Sequence, residues 1–208
     1  MVLDENHPSV IYLCHQDERL NQLIHKIGPI QYYLNDEPYA FLVHEIIEQM
    51  LSIKVGETIY NRLVDLCDGQ IIPERMDTLS DEQIKSIGTS GPKVKYIRSL
   101  TDKIINRSLD LGKLEKLSDQ DAMKELMKVK GIGQWTAKMY IMFVLDRQDV
   151  LPIEDLTFRQ AYKWLYQTDD INKKAIETRC SCWSPYASIG ARYLYEALDS
   201  GLTKTTTI

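Results

Sequence analysis

The chain has 208 residues, 44% hydrophobic and 26% charged, enough to bury a core in one large domain or two tightly packed small ones. No apolar run approaches the roughly 20 residues that span a bilayer, and Met1-Val-Leu-Asp-Glu-Asn lacks the basic-then-apolar start of a secretory signal, so a soluble intracellular protein is expected. A net charge of −5 argues against a uniformly basic surface, but residues 85–140 carry 12 Lys/Arg against 6 Asp/Glu, and local charge is what an anionic partner meets.

Helix-type periodicity dominates and strand alternation is nearly absent, so the fold class is read as all-α. Val10-Ile-Tyr-Leu13 alone hints at extended chain. Residues 17–27 read as a helix with Leu20, Leu23, Ile24 and Ile27 on one face. Pro38 opens a second, with Leu42, Val43, Ile46, Ile47 and Met50 apolar, and another covers 53–67. Ser80-Asp-Glu-Gln83 is a capping box opening a short helix, and Ser118-Asp-Gln-Asp121 is a similar start signal. Residues 92–108, 133–146, 157–167, 171–179 and 185–199 complete the set. A faint internal echo joins two segments. Leu79-Ser-Asp leads through Gly88-Thr-Ser-Gly91 to Tyr96-Ile97, and Leu117-Ser-Asp leads through Gly131-Ile-Gly133 to Tyr140-Ile141.

Cys14 and Cys67 stand alone and Cys180-x-Cys182 is neither a zinc ribbon nor a disulfide framework, so reduced structural thiols are expected. His7, His15, His25 and His44 all lie in the first quarter without ligand spacing, which disfavours a metal hydrolase.

The informative stretch is Leu126-Met-Lys-Val-Lys-Gly131-Ile-Gly133-Gln-Trp135-Thr-Ala137, inside the basic window. A Gly-x-Gly turn between helices presents backbone N–H groups with no Cβ in the way, as phosphate binding requires. Downstream lies Leu151-Pro-Ile-Glu-Asp155. Taken alone, an Asp just before Thr157-Phe-Arg-Gln-Ala-Tyr reads as an N-cap.

Together these two strings resemble the helix-hairpin-helix (HhH-GPD) DNA glycosylases, most nearly the DNA-3-methyladenine glycosylase II type. The resemblance runs from about residue 38 to 199. It implies two packed helical subdomains with a cleft between them, residues 1–208 as a single glycosylase unit, and a helix-hairpin-helix motif at about 119–146. The large β-rich N-terminal domain of some members cannot be fitted ahead of Pro38, so a compact form is expected. Asp155 holds the position of the family's catalytic aspartate, and its neighbour Glu154 is expected to point elsewhere. Gly131, Ile132, Gly133 and Thr136 match the DNA-binding hairpin, and the carbonyls of Met127, Val129 and Ile132 match those that hold a structural Na⁺ or K⁺. Members that cleave the strand carry a Lys two residues after the second glycine. This chain has Trp135 there, which implies a monofunctional enzyme using water. No catalytic cofactor is expected. An iron–sulfur cluster needs four cysteines bunched near the C-terminus, and this chain has two there.

Trp135 is a candidate stacking face for a cationic alkylated base. Trp183-Ser-Pro-Tyr186 resembles a family segment, so Trp183 and Tyr186 are candidates for a second pocket wall or for packing between terminal helices; Ala187 departs from the Arg common in relatives. Ile46-Ile-Glu-Gln49-Met50-Leu-Ser52 resembles the family's I-I-x-Q-Q-[IL]-S stretch, which makes Gln49 and Met50 candidates for the side chain that fills the gap left by an extruded base; Met50 also reads as core. Lys93 and Lys95 are candidate phosphate contacts or a solvated face. The implied partner is damaged double-stranded DNA, bound by a monomer. Two rivals stand beside this reading: a glycosylase for oxidised or deaminated bases, and a non-catalytic helix-hairpin-helix DNA-binding module.

Overall fold

A computed structural model describes residues 1–204. In chain order the elements are β1 (Val2–Leu3), α1 (Pro8–Gln16), α2 (Glu18–Ile27), β2 (Ile30–Gln31), α3 (Pro38–Glu48), α4 (Ile53–Leu66), α5 (Pro73–Thr78), α6 (Asp81–Ser86) and α7 (Gly91–Ile105). They continue with a 3-10 turn (Leu111–Lys116), α8 (Asp119–Met127), α9 (Gln134–Phe143), α10 (Leu156–Tyr166), α11 (Lys173–Cys180), a 3-10 turn (Ser181–Trp183), α12 (Ala187–Asp199) and a last 3-10 turn (Leu202–Lys204). The fold is all-α, as the periodicity predicts.

Local chemistry starts most of these helices. Pro8, Pro38 and Pro73 occupy first helical positions, where the missing N–H has no helical partner to lose. Asp17, Ser118 and Asn172 cap α2, α8 and α11 with side-chain oxygens that accept first-turn N–H groups. Ser80 and Gln83 close the capping box read from the sequence.

Val10–Leu13 is not extended. It lies inside α1, with Val10 and Leu13 turned into the core. Its β-branched and aromatic composition favours a strand weakly, and Pro8 with the His7 cap overrides it. The only strands among the described residues are β1 and β2, paired antiparallel with Val2 opposite Gln31 and Leu3 opposite Ile30.

The chain divides into two compact units. The first comprises residues 1–34 and 146 onward. There α12 packs on α10 and α2, and α1 on α2. Residues Ala187–Leu194 are all buried, the mark of a central helix. Gly190 is glycine for a packing reason: a Cβ there would lie 2.7 Å from Trp183 Cε3. In the same unit the Arg192 guanidinium lies 3.8 Å over the Tyr32 ring, and the Tyr32 hydroxyl donates to Asp146 at 3.0 Å. Burial and then the Asp146 carboxylate push the Tyr32 phenol up to about 12.

The second unit is residues 35–145. At its centre α3 packs on α4, α7 and α9 through Leu42, Val43, Ile46 and Ile47, all without exposed surface. The echo seen in the sequence is real in space: α6–α7 and α8–α9 are each a short helix, a left-handed glycine (Gly88 at φ +103°, Gly131 at φ +92°) and a longer helix.

Candidate functional site

The α8–α9 hairpin is built from backbone geometry first. α8 ends at Met127, and the Val129 carbonyl accepts the Ile132 N–H at 3.1 Å. Gly131 then takes φ +92°, a region closed to most L-residues. The Tyr96 ring fills the space where a side chain would be; a Cβ at 131 would lie 2.1 Å from its Cγ. Val129 and Ile132 are buried, so the turn is pinned on its apolar side.

Gly133 is different. At φ −100° it adopts a conformation open to any residue, and a Cβ there would meet nothing within 4 Å. It is the N-cap of α9 without a side-chain cap bond, and no acidic residue sits in the first turn. The first-turn N–H groups of α9 lie beyond the reach of intrahelical carbonyls, and the helix dipole adds positive potential there. Of the residues in that turn, Trp135 is half-buried and Thr136 buried.

The turn after α3 is tied to this hairpin within the same unit. Gln49 Nε2 donates to the Gly131 carbonyl at 2.9 Å and to Thr136 Oγ1 at 3.2 Å. Its amide is thus engaged rather than free to fill a gap, which corrects its standing as a wedge beside Met50. Met50 is 100% exposed and sits at φ +60°, so it is not core either. Lys93 Nζ donates to the Ile47 and Gln49 carbonyls at 2.7 and 2.6 Å, which ties two of its three N–H groups to the end of α3. Lys95 is exposed on α7, bordering a shallow cleft with Asp81, Arg98 and Asp102.

In the first unit, Asp155 is the N-cap of α10, and its Oδ1 accepts the Phe158 N–H at 2.7 Å. It is only 8% exposed, one of few buried carboxylates among the described residues. Its own N–H donates to the Pro152 carbonyl at 3.0 Å, and Arg159 Nε donates to the Ile153 carbonyl at 2.7 Å, so the approach to the helix is held at several points. Glu154 pairs with Lys173 at 3.1 Å, facing elsewhere as expected.

Trp183 is withdrawn from the pocket role. It has no exposed surface, its ring lies on Gly190 and edge-to-face with Phe158, and its Nε1 donates to Asp17 Oδ2 at 2.9 Å. A wholly enclosed indole presents no face to a base. Tyr186 remains partly exposed and meets Tyr12 edge-on, centroids 5.4 Å apart.

One cluster escaped the sequence reading. His44 lies 3.9 Å from Glu45 and 3.6 Å from Glu48 on α3, with the Tyr60 ring edge-on at 4.5 Å. Burial pulls the imidazole pKa down, but Glu45, Glu48 and Glu57 outweigh it and the net shift is upward. The i, i+4 spacing of His44 and Glu48 was the available signal.

Residues 43–185 match the model of a family described as HhH-GPD superfamily base excision DNA repair protein. Among curated proteins, DNA-3-methyladenine glycosylase 1 of Schizosaccharomyces pombe is 29% identical over 89% of this chain and 85% of its own length. Among solved structures, a DNA-3-methyladenine glycosidase from Bacillus halodurans superimposes with a TM-score of 0.86 at 34% identity, covering 100% of this chain and 96% of that one. The S. pombe 3-methyladenine DNA glycosylase in complex with abasic DNA gives a TM-score of 0.84 at 28% identity, over 93% of this chain and 97% of that one.

Proposed function

This chain belongs to the HhH-GPD superfamily of base excision DNA repair proteins, and from that premise we propose that it is a monofunctional DNA glycosylase of the DNA-3-methyladenine glycosylase II type. It binds duplex DNA inside the cell as a monomer, takes an alkylated purine out of the stack, and hydrolyses the N-glycosidic bond to leave an abasic site. The named relatives supply the substrate class. The chemistry follows from the residues.

Non-specific grip comes from the uncapped start of α9, whose N–H groups suit one DNA phosphate, with Gly133 leaving the approach clear. Met50 suits the gap left by the extruded base. A purine alkylated at N3 or N7 is cationic, and Trp135 offers it an electron-rich face. When the C1′–N bond breaks, the base keeps the electron pair and leaves neutral, while positive charge develops on the sugar. The Asp155 carboxylate stabilises that charge, water adds at C1′, and the water's proton passes to the carboxylate or to solvent. With Trp135 where strand-cleaving members carry Lys, that position offers no amine to form a Schiff base.

The observation that carries this reading is Asp155, a nearly enclosed carboxylate fixed at the cap of α10 within the family match. The test is release of 3-methyladenine or 7-methylguanine from methylated duplex DNA without added divalent metal, by wild type and Asp155→Asn. Release that is lost in the variant supports the assignment; equal release by both overturns it, and no release by wild type leaves the DNA-binding module or a glycosylase for another lesion.

The same reading extends to a Na⁺ or K⁺ at the carbonyls of Met127, Val129 and Ile132. Met127 is the last residue of α8 and the other two lie between α8 and α9, where carbonyls at a helix end lack i+4 amide partners, and an oxygen that accepts one hydrogen bond keeps a second lone pair. Such an ion would add positive charge beside the phosphate. Duplex affinity should fall when potassium is replaced by a bulky organic cation at constant ionic strength; equal affinity removes the ion from the reading.

A further inference from the structure

Lys93 stands in the first turn of α7, where a helix dipole disfavours a cation. Its partners explain why it is there. The ammonium donates to the carbonyls of Ile47 and Gln49, so the charge rests on the C-terminal end of α3, which the dipole makes negative. The turn beyond α3 is anchored again by the Gln49 amide on Gly131 and Thr136, and the Leu51 N–H donates to the Glu48 carbonyl at 2.9 Å. Met50 projects from between these anchors, fully exposed and in the left-handed region, a conformation that persists in a non-glycine residue where its surroundings over-determine it.

We propose that Lys93 is a positioning residue for base excision: with Gln49 it locks the α3–α4 turn to the glycine hairpin, so that Met50 meets the gap in the duplex in its final conformation. The inference rests on the glycosylase reading above. Its physical content is pre-organisation, in which a gap-filling side chain held in place before binding loses no conformational freedom when the base leaves. Burial lowers the ammonium's pKa, in keeping with a group that has exchanged solvent for the two carbonyls. Two of the three ammonium N–H groups are committed to these carbonyls, which leaves one for any other acceptor.

The test compares Lys93→Met, which keeps the apolar stem and removes the donors, with Lys93→Arg, which restores donors. Three quantities are read: excision from methylated duplex against methylated single strand, the fluorescence of 2-aminopurine placed opposite an abasic site on binding, and the salt dependence of affinity for undamaged duplex. Lys93→Met is expected to slow duplex excision about tenfold, the scale of one charge-assisted hydrogen bond. Single-strand excision and the salt slope should stay as in wild type, the aminopurine response should weaken, and Lys93→Arg should recover both lost signals. Equal losses on duplex and single strand with a salt slope smaller by about one unit would make Lys93 a phosphate contact and overturn the proposal. Unchanged excision and fluorescence in Lys93→Met would overturn it too. Wild type inert on methylated DNA would defeat the glycosylase reading instead, and the aminopurine response, which needs no excision, would still decide the role of Lys93. If thermal melts show Lys93→Met unfolded, Lys93→Gln and Met50→Ala carry the same comparison.

Discussion

Gly131 and Gly133 share a motif and face opposite physical demands. Gly131 is required by the fold: its φ of +92° and the Tyr96 ring against it leave no room for a side chain. Gly131→Ala should cost about 2 kcal/mol or more in a urea melt. Gly133 has ordinary backbone and open space, so Gly133→Ala should cost about 1 kcal/mol or less, mainly through a poorer N-cap, yet weaken binding to any duplex several-fold. The two variants should therefore rank oppositely in melts and in binding titrations, and equal ranking would remove the phosphate role from Gly133. The two tryptophans separate in the same way. Trp183→Ala empties a fully buried site and should cost about 3–5 kcal/mol of stability. Trp135→Ala should spare stability by comparison and slow release of cationic bases by roughly 3- to 30-fold, the range of a cation–π contact. Asp155→Asn keeps a side-chain oxygen that caps α10, so its melting should move by roughly 1 kcal/mol at most, while excision falls about 10²-fold or more with duplex binding retained.

At the scale of one element, α3 carries the core of its unit on one face and a titrating cluster on another. The His44 pKa is raised in the folded protein, because the three glutamates overcome the opposing effect of burial. A raised folded pKa means stabilisation that is complete below the ordinary imidazole value of 6.5 and lost as pH rises through the folded value. Glu48, raised chiefly by burial, contributes with the same sign at lower pH. The melting-temperature gap between wild type and His44→Gln should accordingly be wide at pH 5.5 and narrow at pH 8.5; a gap that is constant or widens with pH would show that the imidazolium does not hold α3. The same end of the helix is held by a second device, since the carbonyls of Ile47 and of the capping Gln49 rest on Lys93 of α7.

For the whole molecule, a net charge of −5 with 12 Lys/Arg against 6 Asp/Glu in residues 85–140 predicts binding through a confined basic region. Affinity for undamaged duplex should fall linearly with salt on a log–log plot, by about 0.9 per phosphate neutralised. An affinity indifferent to salt would contradict any interface built on that region. No helix among the described residues is long and apolar enough to cross a membrane.

Much of the helical order was legible in the chain alone. Apolar periodicity, Pro at first helical positions, Ser and Asp caps and the glycine turns are all set by residues within about four positions of one another, the range over which a helix forms its bonds. Thus Pro38, the Ser80 box and the left-handed Gly131 stand where the sequence puts them. So do the strings that carry the family, because a motif is local. Partners distant in the chain were not legible. Gln49 reaches Gly131, Lys93 reaches Ile47, and Trp183 is enclosed by Asp17 and Gly190, although composition left each of these side chains equally suited to a site. Which of them faces solvent depends on how the helices cross, a property of the packed core rather than of any segment. The sequence by itself determined most of the helices, the glycine turns and the family; only the tertiary structure decided that Val10–Leu13 is helical and that Met50 stands out while Gln49, Lys93 and Trp183 are held in, because burial and hydrogen bonding are settled between residues that the chain keeps far apart.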